Sequence, residues 1–509
     1  MRILYIDIDS LRPDHLGCYG YHRNTSPTID RIARAGLVLE RCYTPDAPCL
    51  PSRTAFYSGR FGIQTGVVGH GMTAAQPKLT GVNRGFRDEF GNTSLAAKLQ
   101  QLGYHTAMIS PFGQRHAAWH FYAGFNEIHN TGKNGQESAE EVQPLVEQWL
   151  AQNAAKDNWF LHINYWDPHT HYRVPMAYGD PFATEPLPEW LRDGTVLARH
   201  LGDTGPHSPL DFNMYDEEAP ARYPRSVGAI RTPDDLRKVI DGYDTAVRYV
   251  DDQVARVVAL LEAAGVYEET MVVISADHGE NFGELGIFGE HGTADEATCH
   301  VPMIIKYPGG VQGARDRALR HHFDLAPTLL DLLGCPAPKN WDAQSFTPLL
   351  RGEPDAGREN LVLSQCCHVA QRSVRWDRWL YIRTYHAGFH DFGDEMLFDL
   401  VADPHEANDL AGGRPDLCRE GAWRLARWHD AQMQRMAAGG VDVTDPLWTV
   451  IREGGPFHAN LHPNRSGNPE NGPEGFLRYL GRLEATGRGE GAQALREKFA
   501  ACLPPAPRG

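Results

Sequence analysis

The chain has 509 residues, 41% of them hydrophobic, and a formal net charge of −16. That length exceeds what one hydrophobic core usually supports, so two domains, or one large domain with an appended subdomain, are expected. The acidic balance excludes general nucleic-acid binding, which needs a basic face, and obliges any anion site to carry its own local positive charge. In chain order, residues 3–8 are apolar and β-branched with Asp9 at their end, the pattern of a buried parallel strand delivering a polar group to a sheet's carboxyl edge. This N-terminus has no basic region, long apolar run or cleavage site, and no later run nears the roughly eighteen apolar residues of a membrane span. A cytoplasmic protein with no membrane partner is expected. Nine cysteines without dense, regular spacing argue against a disulfide scaffold.

A helix is expected over 28–35, stopped by Gly36, then a short helix at Cys49 and a Gly-rich loop over 59–91. Residues 94–102, 139–154 and 325–333 read as helices, and 106–109, 159–165, 271–275 and 301–306 as strands. Residues 175–233, rich in proline and charge, read as a long insertion. Apolar residues from Leu236 to Leu261 keep a helical period over 234–264. This alternation predicts an α/β domain over 1–355 with a mainly parallel central sheet flanked by helices. Short strands over 361–400 and a helix over 422–436 predict a smaller α+β subdomain with an antiparallel sheet over 356–440. Residues 441–509 form an extension, and its part from Pro446 onward is broken by Gly and Pro.

Cys49-Leu50-Pro51-Ser52-Arg53 is the most informative stretch. Pro51 suits a helix's first turn, which puts Cys49 at an N-terminus where free N–H groups favour anions and lower a thiol's pKa. Arg53, one turn on, carries a fork suited to a tetrahedral oxyanion. The same stretch also reads as a buried cysteine beside a helix-starting proline. Asp9 and the pair Asp277-His278 end strands whose carboxyl ends share one edge, and carboxylates with one imidazole suit calcium, magnesium or manganese. Asp7, in mid-strand, reads as a further ligand or as a paired buried carboxylate.

The five residues from Cys49 resemble the C-x-P-S-R signature of the type I sulfatases, in the alkaline-phosphatase-like superfamily. Residues 8–20, 275–284 and 397–410 are similar to that family's two metal motifs and its C-terminal sequence. The resemblance implies an alkaline-phosphatase-like fold and hydrolysis of a sulfate ester of a sugar or aryl alcohol. It implies that a separate generating enzyme oxidises Cys49 to formylglycine. It also implies one divalent ion, calcium before manganese or magnesium, on Asp9, Asp277, His278 and the modified Cys49. A cytoplasmic location points to a small sulfated substrate. Pro168-His169 matches the family's Pro-His, whose histidine contacts sulfate and protonates the leaving oxygen.

Around Cys49 the flanks are looser, with Leu50, Tyr57 and Ser58 departing from the family's commonest pattern, and four further positions depart elsewhere. Ser10 replaces a second aspartate, and Glu290 stands in a lysine's place with His291 as the substitute cation. The Lys and His that usually follow Gly103-Tyr104-His105-Thr106 are absent, leaving Arg115 or His116 to supply charge; His116 is the candidate taken, and His171 is a weaker one. The single aspartate keeps phosphonate monoester and phosphodiester hydrolysis open. The lost Lys and His keep open a non-catalytic metal- or glycan-binding homologue.

Overall fold

The computed structural model describes residues 1–78, 89–205, 223–440, 442–456 and 473–500. Parts of the expected Gly-rich loop, insertion and C-terminal extension (79–88, 206–222, 441, 457–472 and 501–509) lie outside the described residues. The central sheet has eight strands: β1 (Arg2–Ile8), β2 (Leu37–Leu39), β3 (His105–Ile109), β4 (Glu127–His129), β5 (Trp159–Tyr165), β6 (Thr270–Ser275), β7 (Met303–Lys306) and β8 (Ala314–Asp316). Their spatial order is β8-β2-β7-β6-β1-β5-β3-β4. All seven residues of β1 are buried, as its largely apolar pattern, interrupted by Asp7, leads one to expect of a strand covered on both faces.

The strands are parallel except β7, which runs against both β6 and β2. No long helix separates β6 from β7 in sequence, and antiparallel neighbours need no crossover. Helix α1 (Pro27–Arg34) ends before Gly36, where a Cβ would lie 2.1 Å from the Ile305 carbonyl of β7. The stop glycine is therefore set by close backbone approach.

Further helices are α2 (Cys49–Ser58), α3 (Leu95–Gln101), α4 (Ala139–Asn153), α5 (Pro233–Ala263) and α6 (Leu325–Leu332). α5 opens with a capping box, in which the Thr232 hydroxyl accepts from the Asp235 amide and the Asp235 carboxylate accepts from the Thr232 amide. Its apolar stripe, Leu236 to Leu261, is buried as its period predicts. No helix among the described residues is long and apolar enough to cross a membrane.

A second sheet holds β9 (Asn360–Gln365), β10 (Ala370–Trp376), β11 (Trp379–His386) and β12 (Glu395–Asp399) as an antiparallel meander. The two-residue strand Asp46–Ala47, just before α2, pairs in parallel with β9 and ties the Cys49 helix to this sheet. Helix α7 (Pro415–Gly439) packs on it. The extension contributes α8 (Pro446–Arg452), α9 (Pro473–Ala485) and α10 (Gly489–Lys498), the last two packed around Phe389. The adjacent Cys366 and Cys367 are buried just after β9, and every described cysteine is a free thiol.

Asp445 docks the extension. It caps α8 at the Leu447 amide and accepts two hydrogen bonds from Arg372 of β10, at 2.7 and 2.8 Å. Burial opposes its charge, but Arg372 and His429 outweigh burial and hold the Asp445 carboxyl below the usual carboxylate range. A carboxyl so depressed stabilises the fold above its unfolded pKa, and that contribution is lost as pH falls through the folded one. Asp445→Asn leaves the Arg372 charge buried and uncompensated. It is expected to cost about 3–5 kcal/mol at neutral pH in denaturant titrations, with a smaller difference from wild type at acid pH.

Candidate active site

Three adjacent strands, β6, β1 and β5, end side by side, and their successors meet: Asp277-His278 after β6, Asp9-Ser10 after β1 and His169 after β5. α2 lies across this edge with all ten of its residues buried. Ser52 fastens it there. Its hydroxyl donates to the Asp277 carbonyl at 2.6 Å and receives from Thr44 at 2.9 Å, with His322 at 3.1 Å. Gly279 lets the strand end pass the next segment, since a Cβ there would lie 2.1 Å from the Ala297 carbonyl.

Asp9, Cys49, Asp277 and His278 present ligand atoms within 4.8 Å of one another, all in buried residues. His278 donates Nδ1–H to the Gly279 carbonyl at 2.8 Å, because a carbonyl only accepts. Its Nε2 therefore faces inward, 3.1 Å from Cys49 Sγ, 3.4 Å from Asp277 and 3.8 Å from Asp9. Ser10, in the second aspartate's place, has a left-handed φ of 61° held by Tyr243, which donates to its carbonyl. The Ser10 hydroxyl donates to Asp9 and its amide to Asp277, so it orients both carboxylates.

Arg53 differs from its expected role as an open oxyanion fork. Nε donates to Asp7 at 2.7 Å, Nη2 to Asp9 at 3.0 Å, and Nη1 stands 2.8 Å from Asp277. Phe112 packs on its face at 4.4 Å. Asp7 is thereby the paired buried carboxylate, close to His162 as well, and it lies outside the ligand cluster.

Three buried carboxylates against one guanidinium leave two negative charges in excess. Burial, joined by the charges of Asp9 and Asp7, pushes the Asp277 carboxyl well above its usual range. Asp277 Oδ2 has no aligned hydrogen-bond donor among the described residues. A divalent cation fits this donor set and would cancel the excess. The Cys49 thiol is also pushed up, first by burial and then by Asp9 and Asp277, contrary to the lowering expected at a helix N-terminus. Dipole assistance of about 0.3–1 kcal/mol is smaller than the cost of a thiolate buried beside two carboxylates.

The other predicted residues surround this cluster. His169 donates Nδ1–H to the Thr170 carbonyl at 2.5 Å, and its ring lies 5.2 Å from that of His291. His291 stacks on His278 at 4.1 Å and lies within ligand reach of Cys49. His116 and His70 also come within ligand reach of Cys49, their rings 4.7 Å apart. Burial holds His169, His291 and His116 below the usual histidine range. His291 and His116 therefore gain a proton less readily than an exposed histidine, whereas Arg115, whose charge reaches Cys49 and His169, is a permanent cation close by.

Arg115 stacks on Trp166 at 4.8 Å and donates to the Asn134 and Gly135 carbonyls. His171 is buried against Tyr223 at 4.2 Å, outside the cluster. His70, which the Leu50 amide approaches at 3.4 Å, is one residue sequence reasoning missed. Its signal was a lone histidine between Gly69 and Gly71 in a stretch read as loop.

Residues 2–335 match the family described as Sulfatase, and residues 283–416 match N-sulphoglucosamine sulphohydrolase, C-terminal. An ulvan-active sulfatase of Formosa agariphila is 24% identical, over 81% of this chain and 77% of its own length. Among solved structures, a phosphonate monoester hydrolase of Agrobacterium radiobacter superposes with a TM-score of 0.64 at 18% identity, covering 85% of this chain and 96% of that one. A 2-O GAG sulfatase gives 0.64 at 20% identity, covering 90% and 97%. These likenesses agree on the fold, a mixed α/β sheet flanked by helices with a separate antiparallel sheet towards the C-terminus. Since the first match spans well over half of its length, the chain belongs to the sulfatase family, the sulfuric ester hydrolases that carry a divalent metal and a formylglycine.

Proposed function

We propose that this chain hydrolyses a sulfate ester of a small carbohydrate, with formylglycine made from Cys49 by a separate enzyme and with calcium held by Asp9, Asp277, His278 and residue 49. The observation that carries this reading is the convergence of those four residues on one buried spot. Relatives named for ulvan and for glycosaminoglycan sulfate support a carbohydrate substrate. With sulfur replaced by oxygen at position 49, the donors are mostly hard oxygens, which suit calcium before manganese or magnesium.

When present, the cation supplies Lewis-acid charge and the aldehyde a carbon that water hydrates, which a buried thiol cannot offer. The chain's own residues do the rest. Arg53 fixes the carboxylates and brings positive charge beside position 49. His278 keeps its inward nitrogen unprotonated through the Gly279 carbonyl. His169, anchored through Nδ1, keeps Nε2 for the substrate. A bound sulfate's negative charge favours its protonation, and the proton then passes to the departing alcohol oxygen.

A second reading, hydrolysis of a phosphonate monoester or phosphodiester, is favoured by Ser10 in place of a second aspartate, which removes one buried negative charge near the substrate. Relative kcat/KM on matched sulfate, phosphodiester and phosphonate esters decides between them. Sulfate is expected to be preferred, and a preference of orders of magnitude for a phosphorus ester overturns the first reading. Cys49→Ala is expected to reduce turnover to background with an unchanged thermal melt, and full activity in that variant places the nucleophile elsewhere. His169→Gln is expected to slow hydrolysis of sugar sulfates by about 10²–10⁴-fold. Aryl sulfates with a good leaving group should slow far less, because a phenolate departs without a proton; equal losses on both contradict the acid role.

A further inference from the structure

Beside the Asp9-Asp277 cluster lies a second set of donors that ester hydrolysis does not use. Glu290 ends the short strand Phe288–Glu290, His291 follows it, and His368 sits in the turn between β9 and β10. All three are buried, at 2%, 2% and 3% exposure, with ligand atoms within 4.8 Å of one another. Neither Glu290 oxygen has a hydrogen-bond partner among the described residues. A bare carboxylate in that setting is costly, and a protonated one would still lack an acceptor for its hydrogen. Its neighbour His368 Nε2 lies 3.9 Å from Oε2, too far for a hydrogen bond.

That separation has another meaning. Two ligands each about 2.0–2.2 Å from a shared ion stand roughly 3–4 Å apart. His278 Nε2 shows the same spacing, 3.4 and 3.8 Å, to Asp277 and Asp9 in the first cluster. His291 has a further carboxylate near it, Glu280 Oε2 at 3.6 Å from Nδ1, beyond hydrogen-bond distance but close enough for charge interaction. Oε2 of Glu280 likewise has no hydrogen-bond partner among the described residues.

We propose that Glu290, His291 and His368 form a second cation site, distinct from the Asp9-Asp277-His278 site and suited to a first-row transition ion such as zinc. One carboxylate and two imidazoles are softer than the first set once oxygen replaces sulfur at position 49, so in the modified chain the two sites prefer different ions, whereas with the Cys49 thiol in place both suit zinc. Because the His291 ring stands 4.1 Å from that of His278 and 5.2 Å from that of His169, the second ion lies beside the anion pocket. It would add positive charge there.

The test is zinc stoichiometry, read by elemental analysis after equilibrium dialysis of the chelator-stripped full chain. Two zinc ions per chain are expected in wild type, since the unmodified first cluster also takes zinc. One is expected in Glu290→Gln and in His368→Ala, and one in Asp277→Asn, with circular dichroism confirming that each variant is folded. A single ion in wild type that folded Asp277→Asn loses, or two in folded His368→Ala, overturns the proposal; if the variants fail to fold, zinc X-ray absorption of wild type decides, a shell of nitrogen and oxygen without sulfur for one ion being expected and sulfur ligation of every bound ion overturning it. This readout is independent of turnover, so a chain inactive on every sulfate ester yet binding two zinc ions refutes the proposed reaction and leaves the second site standing.

Discussion

Arg53 is the residue on which the rest of the site depends. Its guanidinium touches Asp7 within β1, Asp9 just beyond it and Asp277 beyond β6, and so locks α2 to two neighbouring strands. The interaction is incomplete by design of its charges: one cation meets three buried carboxylates. Burial makes that imbalance costly, and the shortfall selects for a divalent ion at the side of the cluster that Arg53 does not cover. Position 49 lies next to the inward nitrogen of His278.

Sheet order explains how residues so distant in sequence come together. Parallel strands β6, β1 and β5 are neighbours, so their C-terminal successors are neighbours too. Ser52 then couples helix to strand end through the Asp277 carbonyl, and Asp46–Ala47 couples the same helix to the second sheet. In that way the C-terminal meander helps to set the height of Cys49 over the central sheet. It also contributes His368 directly, through the turn after β9.

Much of this could be read from the residues. The strand over 159–165 and the long helix near 234–264 follow from apolar runs and a helical period whose burial is uniform. The cluster of Asp9, Cys49, Asp277 and His278 follows from strand ends and a short signature. What could not be read depends on three-dimensional balance. The Cys49 thiol is raised and not lowered because burial beside carboxylates outweighs a helix terminus, and no local pattern reports how many charges will face a side chain. His70 and His368 lie in loops, where periodicity is silent. Arg53 was read as an anion fork because its carboxylate partners come from strands 44 and more residues away.

The central claim is that residue 49, Asp9, Asp277 and His278 share one cation. Anomalous diffraction from manganese-soaked crystals of the purified chain tests it most directly. A peak within bonding distance of all four residues is predicted, and its loss in Asp277→Asn crystals would confirm the assignment. Crystals with no peak among these residues, or with Arg53 alone neutralising Asp9 and Asp277 at saturating metal, would contradict the account.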